Sequence, residues 1–436
     1  MASRWRRGIA ALMAGVFAAA LCGCGTPQKT TAPEPIPIAG TGTAVDAGAT
    51  EYKGTQTTTP STTTGTSETE TTQPTEPTKP DGVDMTEEEW EEYISEDPQA
   101  QRPQEPEAPV EDTLPSVAPP PKPTTTTTQA TTASTTTTVT STGTSSGTTS
   151  SGTASQTTGG ETEPTSSTSA ATTTTTTAAS TQAPPKDGWY VNDGKTYYYL
   201  NGKPVTGYQT MGGIRYYFDA DGVLSSKVGI DVSTFQSTID WNKVKAAGID
   251  FALIRVGFRG YGTAKLMLDV QFEKNIQGAN AAGVDCGVYF FTQAITEEEA
   301  REEARYTLDA IKGYEVSYPV VIDTELVGDP SARANNLSAS ARTNIVNAFC
   351  DEVKKNGYYP MVYADKGWLT YNLEAARLTA DVWLAQYNST VTYTGEYKIW
   401  QYTSEGRVSG ISTNVDMNVG LFDYAAYLRE NGWNNL

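Results

Sequence analysis

The chain has 436 residues, a formal net charge of −20 and no histidine. Without histidine it cannot hold a Ser-His-Asp or Cys-His nucleophile system, nor a zinc ion on imidazole ligands. The acidic balance argues against nucleic acid as a partner, because phosphate binding requires a basic surface. A Gly-x-x-x-x-Gly-Lys-Ser/Thr phosphate loop is also absent from the sequence, and we expect neither a cofactor nor a metal ion.

Residues 1–24 have the composition of an export signal. Arginines precede an apolar run at residues 9–21, which is too short for a confident membrane span. The run ends in Leu21-Cys22-Gly23-Cys24, which resembles a bacterial lipobox, where the last cysteine becomes the lipidated first residue. Acylation of Cys24 would anchor the chain to the outer face of the cytoplasmic membrane, and a lipid there is the only membrane contact we expect. Ordinary secretion is the alternative.

Residues 25–185 consist mainly of Thr, Ser, Pro, Gly and Glu, with few large apolar side chains. Such a segment cannot bury enough surface to offset its conformational entropy, so we predict a long disordered linker. Residues 85–97 are an exception, because Thr86 and Glu89 form a capping-box pattern. A transient helix and an acidic docking peptide are both possible there, but we favour a solvated run of charges.

Residues 186–226 contain a short internal repeat with an offset of 19 residues. Gly188-Trp189 corresponds to Gly207-Tyr208, and Tyr197-Tyr198-Tyr199 corresponds to Tyr216-Tyr217-Phe218. Aromatic clusters followed by Asn-Gly or Asp-Gly predict a small all-β module of stacked hairpins. The units resemble cell-wall-binding repeats of the choline-binding type, which would make the cell wall a partner. A small aromatic module that only packs on its neighbour is the alternative.

Residues 227–436 alternate between strand and helix patterns. Strands are predicted at 228–231, 251–256, 285–291, 319–323, 359–363, 381–385, 397–402 and near 415–416. Helices are predicted at 267–282, 296–311 and 338–355. We therefore predict the α/β class and an irregular (β/α) barrel, with an open doubly wound sheet as the alternative.

Two acids close the buried strand pattern in Tyr318-Pro-Val-Val-Ile-Asp-Thr-Glu325. Since side chains alternate along a strand, Asp323 and Glu325 are expected to project from the same face at its carboxyl end. Two carboxyls so close cannot both ionise easily, so one retains a proton near neutral pH. A retained proton beside a fixed negative charge is what cleavage of a glycosidic bond requires. A helix cap or a cation site would use the same residues.

Several motifs occur in one order along this part of the chain. They are Val228-Gly-Ile-Asp-Val-Ser233, Gly287-Val-Tyr-Phe-Phe291, Val320-Val-Ile-Asp-Thr-Glu325, Trp383-Leu-Ala-Gln-Tyr387, Trp400-Gln-Tyr-Thr-Ser404 and Val415-Asp-Met-Asn418. The ordered set resembles the glycoside hydrolase family 25 lysozymes over roughly residues 228–436. The resemblance implies an irregular β/α barrel, acting as a monomer, that hydrolyses the β-1,4 bond between N-acetylmuramic acid and N-acetylglucosamine in peptidoglycan strands.

The resemblance also implies roles for four acids. Glu325 would be the general acid, with its pKa raised by neighbouring Asp323 and by partial burial. Asp323 would stay ionised, either to stabilise the oxocarbenium-like charge or to orient the 2-acetamido group of the substrate. Asp231 and Asp416 would hold substrate hydroxyls or a water at the barrel mouth.

Five further residues are candidates for binding the substrate, because they lie in or at the ends of predicted strands. They are Tyr289, Tyr363, Trp383, Trp400 and Gln401. Aromatic rings at these positions could stack on sugars, although burial in a core is equally compatible with the pattern.

Other readings of the whole chain stay open. It could be a non-catalytic wall-binding lipoprotein, or a hydrolase of chitin-like glycans. Cys286 and Cys350 could pair in an exported chain, but we favour two separately buried residues, because nothing in the pattern places them together.

Overall fold

The computed structural model describes residues 79–80, 83–103, 107–116, 118–121 and 183–436. The predicted export signal, including Cys24, and most of the predicted linker lie outside these residues. Within the described part of the chain, no helix has the length and apolar character needed to cross a membrane.

A helix forms in the linker at the exceptional segment where we favoured a solvated run of charges. Helix α1 spans Glu87–Glu96, and the predicted capping box is formed, with Thr86 accepting from the Glu89 amide and Glu89 accepting from the Thr86 amide. Trp90 and Tyr93 are 5% and 2% exposed. Burial of each such ring contributes on the order of 1.5–3 kcal/mol, which explains why this run is packed rather than solvated.

A three-stranded antiparallel sheet and a separate two-stranded hairpin form over the predicted repeat. Their strands are β1 (Gly188–Asn192), β2 (Lys195–Leu200), β3 (Lys203–Pro204), β4 (Gly207–Met211) and β5 (Ile214–Phe218). The pairing of β1 with β2 has the same register as that of β4 with β5. Asp193 and Gly194, at the first turn, both have positive φ, as a tight two-residue turn requires.

A nine-stranded sheet follows. Its strands are β6 (Lys227–Val232), β7 (Phe251–Arg259), β8 (Leu266–Leu268), β9 (Asp285–Phe291), β10 (Val320–Asp323), β11 (Pro360–Asp365), β12 (Asp381–Ala385), β13 (Ile399–Gly406) and β14 (Val415–Gly420). Their order is β6-β14-β13-β12-β11-β10-β9-β7-β8, and β6 also pairs with β7. Eight strands therefore close into a barrel and β8 flanks it. The predicted barrel is confirmed, and the open doubly wound sheet is wrong.

Helices pack around the barrel. They are α2 (Trp241–Ala246), α3 (Phe272–Ala282), α4 (Glu297–Ala310), α5 (Ala339–Lys355) and α6 (Tyr424–Asn431). Thr296 and Ser338 cap α4 and α5. The helix predicted at 267–282 begins only at Phe272, because residues 266–268 pair with the end of β7 instead.

Side chains alternate between two apolar layers. Along β7, Phe251 and Leu253 belong to one cluster with Val321 and Met361, whereas Ala252 and Ile254 belong to the other, with the helices. Such alternation is the pattern of a closed barrel with a filled interior. Cys286 and Cys350 are both buried and unpaired, which confirms the interpretation that we favoured.

Candidate active site

The four predicted acids gather at one rim of the barrel. Asp231 lies near the end of β6, and Asp323 is the last residue of β10, with Glu325 two residues beyond. Strand β14 is antiparallel to both of its neighbours, so its first residues meet the ends of the parallel strands. Asp416, the second residue of β14, lies directly opposite Asp231 in the strand register. The barrel thus brings together acids that are far apart in the sequence.

All four acids are nearly withdrawn from solvent. Asp231, Asp323, Glu325 and Asp416 are 5%, 3%, 6% and 8% exposed. Burial raises the pKa of Asp231 to about 6, against the opposing effect of hydrogen bonds from Asn418 and Gln401. Burial, followed by the charge of Glu325, raises the pKa of Asp323 well above its usual range. Burial and the charge of Asp231 do the same for Asp416. Asp323 and Asp416 therefore favour their protonated forms more strongly than exposed carboxyl groups do.

A polar network fixes the Asp231 carboxylate. Its Oδ2 accepts from Gln401 Nε2 at 2.9 Å and from Asn418 Nδ2 at 2.7 Å. Trp383 Nε1 donates to Asn418 Oδ1 at 2.8 Å, and the Tyr363 hydroxyl donates to Gln401 Oε1 at 2.8 Å. Each amide is thereby held in one orientation. Asp323 Oδ1 and Asp416 Oδ1 are instead buried without a hydrogen-bond partner among the described residues.

The predicted binding residues divide into two groups. Tyr289, Tyr363 and Trp383 belong to the cluster that fills the barrel interior, and Gln401 contacts Asp231 beside them. Trp400 lies on the other layer, where Tyr208 of β4 meets its ring at a centroid distance of 5.1 Å. Because neighbours on a strand face opposite sides, Gln401 at the rim forces Trp400 outward. Trp400 is fully buried there, which corresponds to the core position that the sequence pattern left open.

The structure adds residues that we did not single out. Asn418 orients Asp231, and the Tyr387 hydroxyl donates to Gln401 Oε1 at 2.9 Å. Both residues end motifs that the sequence already displayed, and Asn418 shares the strand face of Asp416 by alternation. Tyr371, in contrast, lies on an irregular helical segment and is 80% exposed. No pattern in the sequence distinguishes it.

An arginine from the predicted linker enters the acid cluster. Arg102 Nε lies 2.8 Å from Glu325 Oε2, and Arg102 Nη2 donates to the hydroxyls of Tyr363 and Tyr387 at 2.8 Å each. An ion pair with arginine favours the ionised form of a carboxyl group. The ion pair with Arg102 therefore opposes protonation of Glu325, whereas burial and the charge of Glu325 raise the pKa of Asp323.

The space left beside Glu325 is small. A cavity of about 240 Å³ is lined by Arg102, Glu325, Trp368 and Tyr371, among others. Larger cavities lie elsewhere, including one of about 670 Å³ between the hairpin strand β2 and the opposite end of the barrel. Chemistry rather than size therefore identifies the candidate site. Among the residues that the structure describes, no group of three His, Cys, Asp or Glu side chains is placed to hold a metal ion.

The raised pKa of Asp231 predicts how stability depends on pH. Since the folded pKa of about 6 exceeds the usual value of 3.8, the stabilising effect of the proton is complete below pH 4 and lost as the pH rises through 6. We expect the unfolding free energy to fall by on the order of 2 kcal/mol over that range. Asp231→Asn should flatten this slope in denaturant titrations, whereas Asp309→Asn, at an exposed helical site, should not. Equal slopes for the parent and Asp231→Asn would contradict the expectation.

Comparisons with known proteins show what the barrel is similar to. Residues 230–411 match the family model described as glycosyl hydrolases family 25. Lysozyme M1 of Streptomyces globisporus is 29% identical over 204 residues, which cover 44% of this chain and 66% of that protein. The autolytic lysozyme of Clostridium acetobutylicum is 25% identical over 191 residues, which cover 44% of this chain and 54% of that protein.

A solved structure is similar as well. It is the modular autolysin LytC of Streptococcus pneumoniae in complex with a synthetic peptidoglycan ligand, at 27% identity and a TM-score of 0.40. The match covers 54% of this chain and 58% of LytC. The chain thus spans between about half and two thirds of the length of each of these three proteins. The match to glycosyl hydrolases family 25 covers residues 230–411, which are less than half of the chain.

Proposed function

We propose that residues 227–436 hydrolyse peptidoglycan at the β-1,4 bond between N-acetylmuramic acid and N-acetylglucosamine. The observation that carries this proposal is the ring of four buried carboxyls at one rim of a closed barrel. A purely structural site would not collect four acids in a buried cluster, because their mutual repulsion and desolvation cost stability. The family match at residues 230–411 and the lysozymes among the relatives support the same reaction.

In the proposed reaction Glu325 gives its proton to the leaving glycosidic oxygen as the C–O bond breaks. Asp323 acts as an anion that either stabilises the positive charge at the sugar carbon or orients the 2-acetamido oxygen for attack on it. Water then supplies a hydroxyl group to that carbon, and its remaining proton returns to Glu325. Asp231 and Asp416 hold sugar hydroxyls or this water.

Substrate contacts are proposed on both sides of the acids. Tyr289, Tyr363, Trp383 and Gln401 form the floor beneath the scissile bond. Gln401 also orients Asp231 directly, Tyr363 does so through Gln401, and Trp383 does so through Asn418. Tyr371 offers an exposed ring on the wall of the cavity that contains Glu325. An aromatic face of this kind suits the apolar face of a sugar ring.

The products of digestion test the proposal. Purified peptidoglycan is incubated with the full chain, and the new reducing ends are reduced with borohydride and identified. New muramic acid ends are expected. Glucosamine ends instead would indicate a cleavage specificity closer to chitin hydrolysis, and the absence of new ends would indicate a module that only binds glycan.

We also propose that the enzyme works outside the cell, held at the wall. Cys24 would carry a lipid, and the hairpins of residues 186–226 would contact the wall. The hairpin module offers Tyr190, Tyr197 and Tyr199 as a cluster of half-buried rings, with centroids 5.7–6.5 Å apart. Incorporation of a labelled fatty acid, and its loss in Cys24→Ser, is the measurement that checks the anchor.

A further inference from the structure

The segment that carries Arg102 crosses the barrel mouth and is fixed on both sides of it. We call residues 83–103 and 107–116 the strap. At one side, Tyr93 packs edge-on against Phe258 of β7 at a centroid distance of 5.2 Å. At the other side, the amides of Thr113 and Leu114 donate to the Thr210 carbonyl of β4 at 3.0 and 3.1 Å. The strap therefore spans the mouth from β7 to the hairpins.

Charges on the strap meet complementary groups below it. Asp97, fully buried, makes a two-point contact with Arg255 of β7, at 2.9 and 2.7 Å. Arg102 pairs with Glu325 at 2.8 Å. Glu107 accepts from the Thr403 hydroxyl at 2.7 Å and from the Ser404 amide at 2.8 Å. An acid, a base and a second acid thus each find a fitting partner, which a non-specific spacer would not do.

The backbone of the strap also fits the barrel closely. The amide of Gly328, just after the acid pair, donates to the Gln101 carbonyl at 2.6 Å. A Cβ atom at position 328 would lie 2.6 Å from that same oxygen, which is too close for any unstrained contact. Glycine at this position allows the strap to lie directly on the loop beside Glu325.

The strap opposes hydrolysis at the site by two separate effects. The cavity of about 240 Å³ beside Glu325 is below the range of about 300–1,000 Å³ that is usual for ligand pockets. In addition, the pairing with Arg102 favours a Glu325 without the proton that a general acid must donate. Removal of the strap would enlarge the cleft and remove this counter-charge together.

We propose that the strap is an intramolecular inhibitor, which holds the hydrolase latent until the substrate or another ligand displaces it from the mouth. The inference rests on the proposed function, since only a hydrolase can be held latent. The parent chain then works in proportion to the fraction of molecules whose strap is open. A closed state about nine times as populated as the open one lowers the rate about tenfold.

The first test compares rates in the full chain. Asp97→Ala/Arg102→Ala should raise kcat/KM on purified peptidoglycan at least about tenfold, because the two charged contacts of the strap are lost. Arg305→Ala, on the outer helix α4, removes an arginine that the strap does not contact and should leave the rate unchanged. A synthetic peptide of residues 83–116 should inhibit the double variant, and the same peptide with alanine at 97 and 102 should not.

A second variant changes the barrel and leaves the strap intact. In Gly328→Ala the added methyl group collides with the Gln101 carbonyl, so the strap should lift and the rate should again rise. Hydrogen exchange of residues 87–101 reports strap release without any reference to activity. We expect slow exchange in the parent and in Arg305→Ala, and faster exchange in Gly328→Ala and in the double variant.

The outcomes separate this inference from the proposed function. If hydrogen exchange shows a released strap but the rate of peptidoglycan cleavage is unchanged or lower, the inference is overturned. The strap would then have no effect on activity or would be part of the catalytic site. Slow exchange that survives in both variants would overturn the assigned contacts. If no variant cleaves peptidoglycan, the proposed function fails. The inference about the strap is then tested by the binding of soluble N-acetylglucosaminyl-N-acetylmuramic acid. Equal affinity of the parent and the released variants for this ligand would overturn the inference as well.

Discussion

Glu325→Gln should lower turnover of peptidoglycan by about 10²- to 10⁴-fold, the usual contribution of a general acid. Glutamine has nearly the same shape as glutamate but cannot supply a proton to the leaving oxygen. The substitution also removes the carboxylate that Arg102 contacts at 2.8 Å, so the strap should bind less tightly. We therefore expect glycan binding to be kept or improved while cleavage is lost, a combination that unfolding cannot produce.

Two comparisons make the test of Glu325 specific. Glu396→Gln, at an exposed position near β13, should cleave at the parent rate. In the background of Asp97→Ala/Arg102→Ala, where the strap is released, Glu325→Gln should cause a loss at least as large as in the parent. Cleavage by Glu325→Gln at near the parent rate would show that another group supplies the proton. The reducing ends released per minute, at saturating and at limiting substrate, give kcat and kcat/KM separately.

The barrel was predictable because its strands are apolar and evenly spaced. The run before Asp323 is buried on both faces. The period and the composition of its residues are enough to predict such a strand from the sequence. The short strand at Leu266–Leu268 was not predictable, since its apolar residues continue without a break into a helical pattern. Only the pairing with β7 distinguishes this strand from the start of a helix, and that pairing depends on residues outside the segment itself.

The acids could be predicted and their environment could not. Asp231, Asp323 and Asp416 end or begin strands, so topology alone brings them to one rim. The motif that contains Trp400 does not state which face of the strand is inward, although alternation from Gln401 indicates it. Arg102 gives no signal at all, because its partners lie more than 200 residues away and its neighbours have the composition of a linker.

Composition misled us about the strap for a physical reason. Averaged over residues 25–185, apolar content is too low for a core. The strap, however, does not build a core of its own, because Trp90 and Tyr93 bury their rings against side chains that the barrel supplies. A few large residues at a local capping box are enough when the receiving surface already exists. The Thr86 and Glu89 pattern was the only local indication of that order.

Arg255 links the strap to the barrel interior. Its guanidinium is fully buried and contacts the carboxylates of Asp97 and Asp269, each at 2.7 Å at the closest approach. The Gln99 side chain accepts a further hydrogen bond from it at 2.7 Å. One buried cation is thus the shared counter-charge of two buried acids, one from the strap and one from the barrel. Loss of this cation would leave two carboxylates without a counter-charge.

Arg255→Met should therefore destabilise the folded chain by about 3–5 kcal/mol, the usual cost when one partner of a buried ion pair is removed. Asp97→Asn in the same background should recover part of the loss, because it removes one of the two uncompensated charges. Arg301→Met, which breaks only a surface pair on α4, should change the unfolding free energy by less than about 0.5 kcal/mol. Denaturant titration of all four chains measures these differences. If Arg255→Met lowers the unfolding free energy no more than Arg301→Met does, Asp97 must reach water in the folded state. In that case Asp97 does not hold the strap in the mouth.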